Sequence, residues 1–229
     1  MKKALKFLLL PALTVAAFFF ACTKSDELTV DEAVDETLYS VQERGGMGRY
    51  GCYELVFPVS IVLPNGTTVE VDSYDAIKQQ LRTWFEANSD RRRRPHHGAR
   101  PPFNFVFPIS VVTEDGDVVS VEDENALLRL RAECAGTFEQ HGPRGHGHHG
   151  LSCFEVVFPI TIEFPDGSTA TADSRQALHQ LLRTWKQNNP GNTARPKMVF
   201  PITVKMADDG TLVTVNSHDE LRALKADCR

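Results

Sequence analysis

A fourfold internal repeat constrains this chain more than any other feature. The dipeptide Phe-Pro recurs as Phe57-Pro58, Phe107-Pro108, Phe158-Pro159 and Phe200-Pro201, each time inside an apolar stretch. Such a unit cannot bury its apolar face alone, so the copies must pack on one another. In the first copy Leu55, Phe57, Val59, Ile61 and Leu63 alternate with Glu54, Val56, Pro58, Ser60 and Val62. Period two is the signature of a strand with one face on a core. Asn65-Gly66 then reads as a hairpin turn, and Val69 and Val71 lie on the returning strand. Ser73 stands where a helix N-cap belongs, and Ile77, Leu81 and Trp84 form a helical stripe behind it. Each repeat is therefore a strand–turn–strand–helix unit.

The third copy repeats these signals with Phe154, Val156, Phe158, Ile160 and Ile162, the turn Asp166-Gly167, the cap Ser174 and the stripe Leu178, Leu182 and Trp185. The second and fourth copies turn at Asp115-Gly116 and Asp209-Gly210 and cap at Asp123 and Ser217, with Leu127 and Leu221 on their helices. Ser217 and Glu220 have the spacing of a capping box. The spacing of Phe to the helix end distinguishes odd from even copies. Trp84 and Trp185 end the odd helices, whereas Cys134 and Cys228 end the even ones. Cys52 and Cys153 in turn open the odd copies.

Each pair of repeats thus has a cysteine at its start and another at its end. Four cysteines allow three connectivities. Cys52–Cys134 with Cys153–Cys228 is the one that closes each duplicated unit on itself. In the chain-entropy account, closing a loop of about 80 residues stabilises by roughly 4.5 kcal/mol. The fold expected is α+β, with two homologous domains at 51–136 and 151–229. Each would be a duplicated strand-strand-helix unit giving a four-stranded, mostly antiparallel sheet with two helices on one face. Proline has no N–H and interrupts a fully paired strand. Either the long first strand bends at proline, its first part pairing with the sister repeat and its second with its own hairpin partner, or it is an edge strand. Val56, Ser60, Val62 and their counterparts would face solvent.

The N-terminus has a different character. Met1-Lys2-Lys3 is basic, Leu8 to Phe20 is a short apolar run, and Ala21-Cys22-Thr23 follows. This is the pattern of a secretory signal peptide over residues 1–21. Phe19-Phe20-Ala21-Cys22 resembles the lipobox of bacterial lipoproteins, with Phe19 where Leu is usual. That resemblance covers only about the first 25 residues. It implies that Cys22 is lipidated and anchors the chain in a membrane of the bacterial cell envelope, at its periplasmic or surface face. Lys24-Ser25-Asp26-Glu27 is similar to the acidic tethers of some surface-exposed lipoproteins. Residues 22–50 would then be a lipidated tether, with a short helix from Asp31 to Glu43 that presents Val30, Val34, Leu38 and Val41 on one side.

Two junctions depart from the repeat. Arg91, Arg92, Arg93 and Arg94 form a basic run, followed by His96 and His97, that the matching junction at Gln187 to Gly191 lacks. Such a run suits anionic groups. The linker 137–150 carries His141, His146, His148 and His149 among glycines. Imidazoles suit Zn, Ni or Cu, and His96 and His97 could join them. Against a metal site stand the chain entropy lost on binding and the lack of a fixed carboxylate or thiolate ligand.

Catalysis has little sequence support. His179 and His218 have no recognisable partner, and pairing of four cysteines removes their thiols as nucleophiles. A net charge of −5 gives no bulk basicity for nucleic acid. The sequence points first to a non-catalytic envelope lipoprotein, a binding or structural module for an envelope or extracellular ligand. A metal-binding or metal-buffering lipoprotein comes second and an enzyme third.

Overall fold

The computed structural model describes residues 28–92, 103–134 and 152–228. These residues form an α+β structure with five α-helices and four small antiparallel sheets of three strands each. The first repeat gives β1 (Tyr53–Leu55), β2 (Val59–Val62), β3 (Thr68–Val71) and helix α2 (Tyr74–Ala87), and α1 (Val30–Gly45) precedes them. The second gives β4 (Asn104–Phe105), β5 (Ile109–Thr113), β6 (Val118–Val121) and α3 (Glu124–Glu133). The third gives β7 (Phe154–Val157), β8 (Ile160–Glu163), β9 (Thr169–Ala172) and α4 (Arg175–Asn188). The fourth gives β10 (Lys197–Met198), β11 (Ile202–Met206), β12 (Leu212–Val215) and α5 (His218–Cys228).

Proline divides every first strand, and the two parts join different sheets. β2 pairs with its own hairpin partner β3, Val59 opposite Val71, while β1 crosses to β5 of the sister repeat, Leu55 opposite Val111. The exchange is reciprocal, since β4 crosses to β2 with Phe105 opposite Ile61. The third and fourth repeats do the same, β7 on β11 and β10 on β8. A residue without an N–H cannot donate to a ladder, so pairing stops there and resumes with another neighbour. The four Phe-Pro peptide bonds are all cis. The bend expected at proline is thus observed, but its product is two three-stranded sheets per repeat pair instead of one four-stranded sheet.

Helix starts follow the sequence signals. Ser73, Asp123 and Ser174 each accept a backbone N–H three residues on. At α5 the box is only half formed. The Ser217 hydroxyl accepts the Glu220 N–H at 3.2 Å, but the Glu220 carboxylate takes the Asn216 N–H at 2.6 Å. The helical stripes also need correction. Ile77 and Leu81 are buried as expected, yet Phe85 and Tyr74 complete the buried face of α2, and Trp84 lies at its margin. The aromatic ring needed by the first core comes from the residue after the repeated Trp.

From Leu28 onward the expected tether is part of the fold. Thr29 and Glu32 form a complete capping box at the start of α1. Val34, Leu38 and Val41 bury their side chains in the first core, which stabilises by about 1.5–3 kcal/mol per residue. Asp31 pairs with Arg82 at 2.5 Å, Asp35 with Lys78 at 3.4 Å, and Arg44 with Glu124. The helix ends at Gly46, whose φ of 68° places it in the left-handed region that glycine adopts at no steric cost.

Candidate functional site

The described residues that bear chemistry gather along the seam between the two repeat pairs. At its centre Glu54 on β1 meets Lys225 on α5, each side chain 2% exposed. The Lys225 ammonium donates to Glu54 Oε1 and, at 2.7 Å, to the Gly48 carbonyl. Glu54 Oε1 also accepts the Cys153 N–H at 3.3 Å, and Ser152 Oγ donates to Glu54 Oε2 at 3.2 Å. Burying one charge is costly, and two are tolerated when they pair and their remaining hydrogen-bond positions are filled. Every named partner of Glu54 comes from the second repeat pair, so the cluster fixes how the halves dock.

The seam also has a backbone part. Val118 N–H donates to the Pro196 carbonyl at 2.8 Å, and Met198 N–H to the Gly116 carbonyl at 2.9 Å. Asp117 bridges Lys197, so β6 of the first half lies beside β10 of the second. Gly116 has φ of 77°, and a side chain there would come within 2.8 Å of His218 Nδ1. The His218 ring meets Phe200 edge-on at 4.6 Å. Arg195 holds both oxygens of Glu133, at 2.7 and 3.0 Å, and the Tyr53 hydroxyl lies 3.2 Å from the same carboxylate. Burial, reinforced by the Glu133 charge, pushes the Tyr53 phenol up to about 12. Burial likewise raises the Asp117 carboxyl above its ordinary value, against the pull of Lys197 and Arg195.

A third cluster joins α4 to β5. His179 Nδ1 lies 3.4 Å from Ser110 Oγ, which is fully buried. Burial first, and then the Arg175 charge, lower the imidazole from 6.5 to about 4. The contact places a neutral imidazole beside a fully buried hydroxyl. Arg175 reaches Glu70 at 3.7 Å. The sequence offered no partner for His179, because Ser110 comes from another repeat, and none for His218, because Phe200 lies across the β11–β12 hairpin of the same repeat.

The sheet face expected to be exposed is partly covered. Val56, Val112 and Val118 belong to the second hydrophobic core, and Ser110 lies beneath α4. The second half covers this face of the β1-β5-β6 sheet. A polar residue on an alternating strand looked like a solvent position, and only the docking of the halves reverses that.

Both expected disulfides are present, Cys52–Cys134 and Cys153–Cys228, with Cα separations of 5.8 and 5.6 Å. Arg91 and Arg92 end the short turn after α2. Arg91 lies 3.4 Å from Asp90, and the Arg92 carbonyl accepts the Leu28 N–H at 2.8 Å. Cys22, Arg93, Arg94, His96, His97, His141, His146, His148 and His149 lie outside the described residues. Among the described residues no group of three His, Cys, Asp or Glu is placed to hold a metal ion, and no helix is long and apolar enough to cross a membrane. No family model matches the chain, and comparison with curated proteins and with solved structures finds no significant match.

Proposed function

We propose that this chain is a non-catalytic lipoprotein of the bacterial cell envelope, held by Cys22 and presenting two homologous domains as a binding or structural module. The observation that carries the reading is the basic and apolar N-terminus that ends in Phe19-Phe20-Ala21-Cys22. The two disulfides support it, because such bridges persist in oxidising, exported settings. The internal engagement of Glu54, Lys225 and Ser110 supports a scaffold role for these groups, since their polar atoms are turned toward the seam. Mass spectrometry of the mature N-terminus tests the anchor: acylated Cys22 is expected, and an unmodified N-terminus at another residue would overturn it. Pull-down from envelope extract with residues 28–229 then identifies the ligand.

The second reading is metal buffering by His141, His146, His148 and His149, with His96 and His97, for which the sequence cluster itself is the observation. Calorimetry with Zn, Ni or Cu on the wild type and on a variant with the four linker histidines changed to Ala separates the readings. Equal heats remove the linker as a source of ligands.

A further inference from the structure

The Cys153–Cys228 bridge closes the socket that holds Glu54. Lys225, which donates to Glu54, stands one helical turn before Cys228 on α5. Cys153 donates its own N–H to the same carboxylate, and Ser152 donates its hydroxyl. The disulfide therefore ties together the two segments whose donors converge on one buried side chain of the other half.

We propose that Cys153–Cys228 is a redox-sensitive latch on the contact between the halves. A dithiol donor attacks the sulfur of Cys228, which is partly exposed, whereas Cys153 is 2% exposed. The S–S bond breaks, Cys153 leaves as a thiolate and takes a proton, and a mixed disulfide forms at Cys228. The donor's second thiolate attacks its own sulfur in that mixed disulfide, so Cys228 leaves and takes a proton. Two electrons and two protons pass to the chain, and the donor becomes a disulfide. With the bridge open, the α5 end and the Ser152-Cys153 segment are no longer held against each other. Glu54 and Lys225 then gain by separating into water, since a buried pair is stable only with good geometry. Opening the seam bares Val56, Val112 and Val118, so the reduced protein offers an apolar sheet face that the oxidised protein keeps covered.

Amide exchange on the full mature chain tests the latch, because Val118 N–H and Met198 N–H bond across the seam. A Cys153→Ser/Cys228→Ser variant opens this bridge and leaves Cys52–Cys134 intact. Dithiothreitol treatment of a Cys52→Ser/Cys134→Ser variant, in which Cys153–Cys228 is the bridge that remains, provides a second route if the first variant does not fold. Exchange at Val118 and Met198 should rise at least tenfold, while the amides of β2 and β8 within each half keep their protection. No change at the seam, or equal acceleration throughout the second half, would overturn the proposal. In a Glu54→Leu/Lys225→Met background, opening the bridge should no longer speed exchange at the seam. An undiminished response there would show that the bridge acts without the ion pair, and would overturn it equally.

Discussion

Changing Lys225 to Met tests the central physical claim about the seam. In the wild type the Glu54 carboxylate is neutralised by one ammonium and accepts two further hydrogen bonds. The substitution keeps most of the side-chain volume and removes the charge. Glu54 is left with the Cys153 N–H and with the Ser152 hydroxyl, which can instead donate to the Phe154 carbonyl at 2.9 Å. Removing one partner of a buried pair costs about 3–5 kcal/mol. Glu54→Leu should cost a similar amount, because it strands the ammonium with only the Gly48 carbonyl. The double variant carries neither charge. What remains is an unpaired Cys153 N–H, since the Gly48 carbonyl still accepts the Gly51 N–H at 3.0 Å, a loss of about 1–3 kcal/mol. Urea unfolding of the oxidised chain at pH 7, with all four species, completes the cycle. The double variant should be more stable than either single variant. If the two single losses simply add in the double variant, the charges are not coupled and the reasoning fails.

Two further outcomes follow from the same seam. The His179 imidazole is held near 4 in the fold against an ordinary 6.5, so the unfolded chain binds more protons between those values. Stability from this group is full above about pH 6.5 and is lost as pH falls toward 4, and discounting for its partial exposure the loss is about 1–2 kcal/mol. The difference in urea midpoint between wild type and His179→Gln should track that window, and a difference independent of pH would remove His179 as its source. Separately expressed fragments 28–136 and 152–229 should each unfold at lower urea than the whole chain and should associate when mixed under oxidising conditions. Absence of a complex in size-exclusion chromatography at micromolar concentration would show that Val56, Val112 and Val118 contribute little to docking.

Local chemistry was legible and relations between repeats were less so. Turn, cap and strand signals are confined to a few neighbouring residues, and Asn65-Gly66, Ser73 and the alternation around Phe57 led directly to the elements seen. The cysteine pairing was legible because symmetry left one connectivity that closes each duplicated unit on itself. The place of Glu54 was not. On period two it falls on the outward face of a strand, where a carboxylate is ordinary, and Lys225 lies 171 residues away. A buried pair of opposite charges has no local signature, because its cost and its compensation belong to different elements. The helix α1 was visible in its apolar spacing, but its role was misjudged. An acidic helix beside an anchor reads as a spacer, and the bases that receive Asp31 and Asp35 lie on α2, about 50 residues further on.

The repeat itself explains why α1 has to fold back. Aligning the copies places Lys78 of α2 at the position of His179 on α4, and Arg131 of α3 at that of Lys225 on α5. In the second half these positions face the first half, His179 at Ser110 and Lys225 at Gly48 and Glu54. In the first half the same positions face α1, Lys78 at Asp35 and Arg131 at the Glu43 carbonyl. One helical face is therefore covered twice, once by α1 and once by a whole repeat pair. A repeated unit with a complementary front and back adds copies until something blocks one end. At the front α1 is that block. At the back the positions matching Val112 and Val118, each 1% exposed, carry Lys205 and Leu212, and Leu212 is 63% exposed. For a third unit to dock as the second does, Lys205 would have to leave water without the acid that its ammonium requires, because its cross-strand neighbour Glu155 stands where the first half has the already committed Glu54. The two ends thus differ from the seam: α1 packs on the front, and Lys205 and the exposed Leu212 stand at the back where the seam has the buried Val112 and Val118.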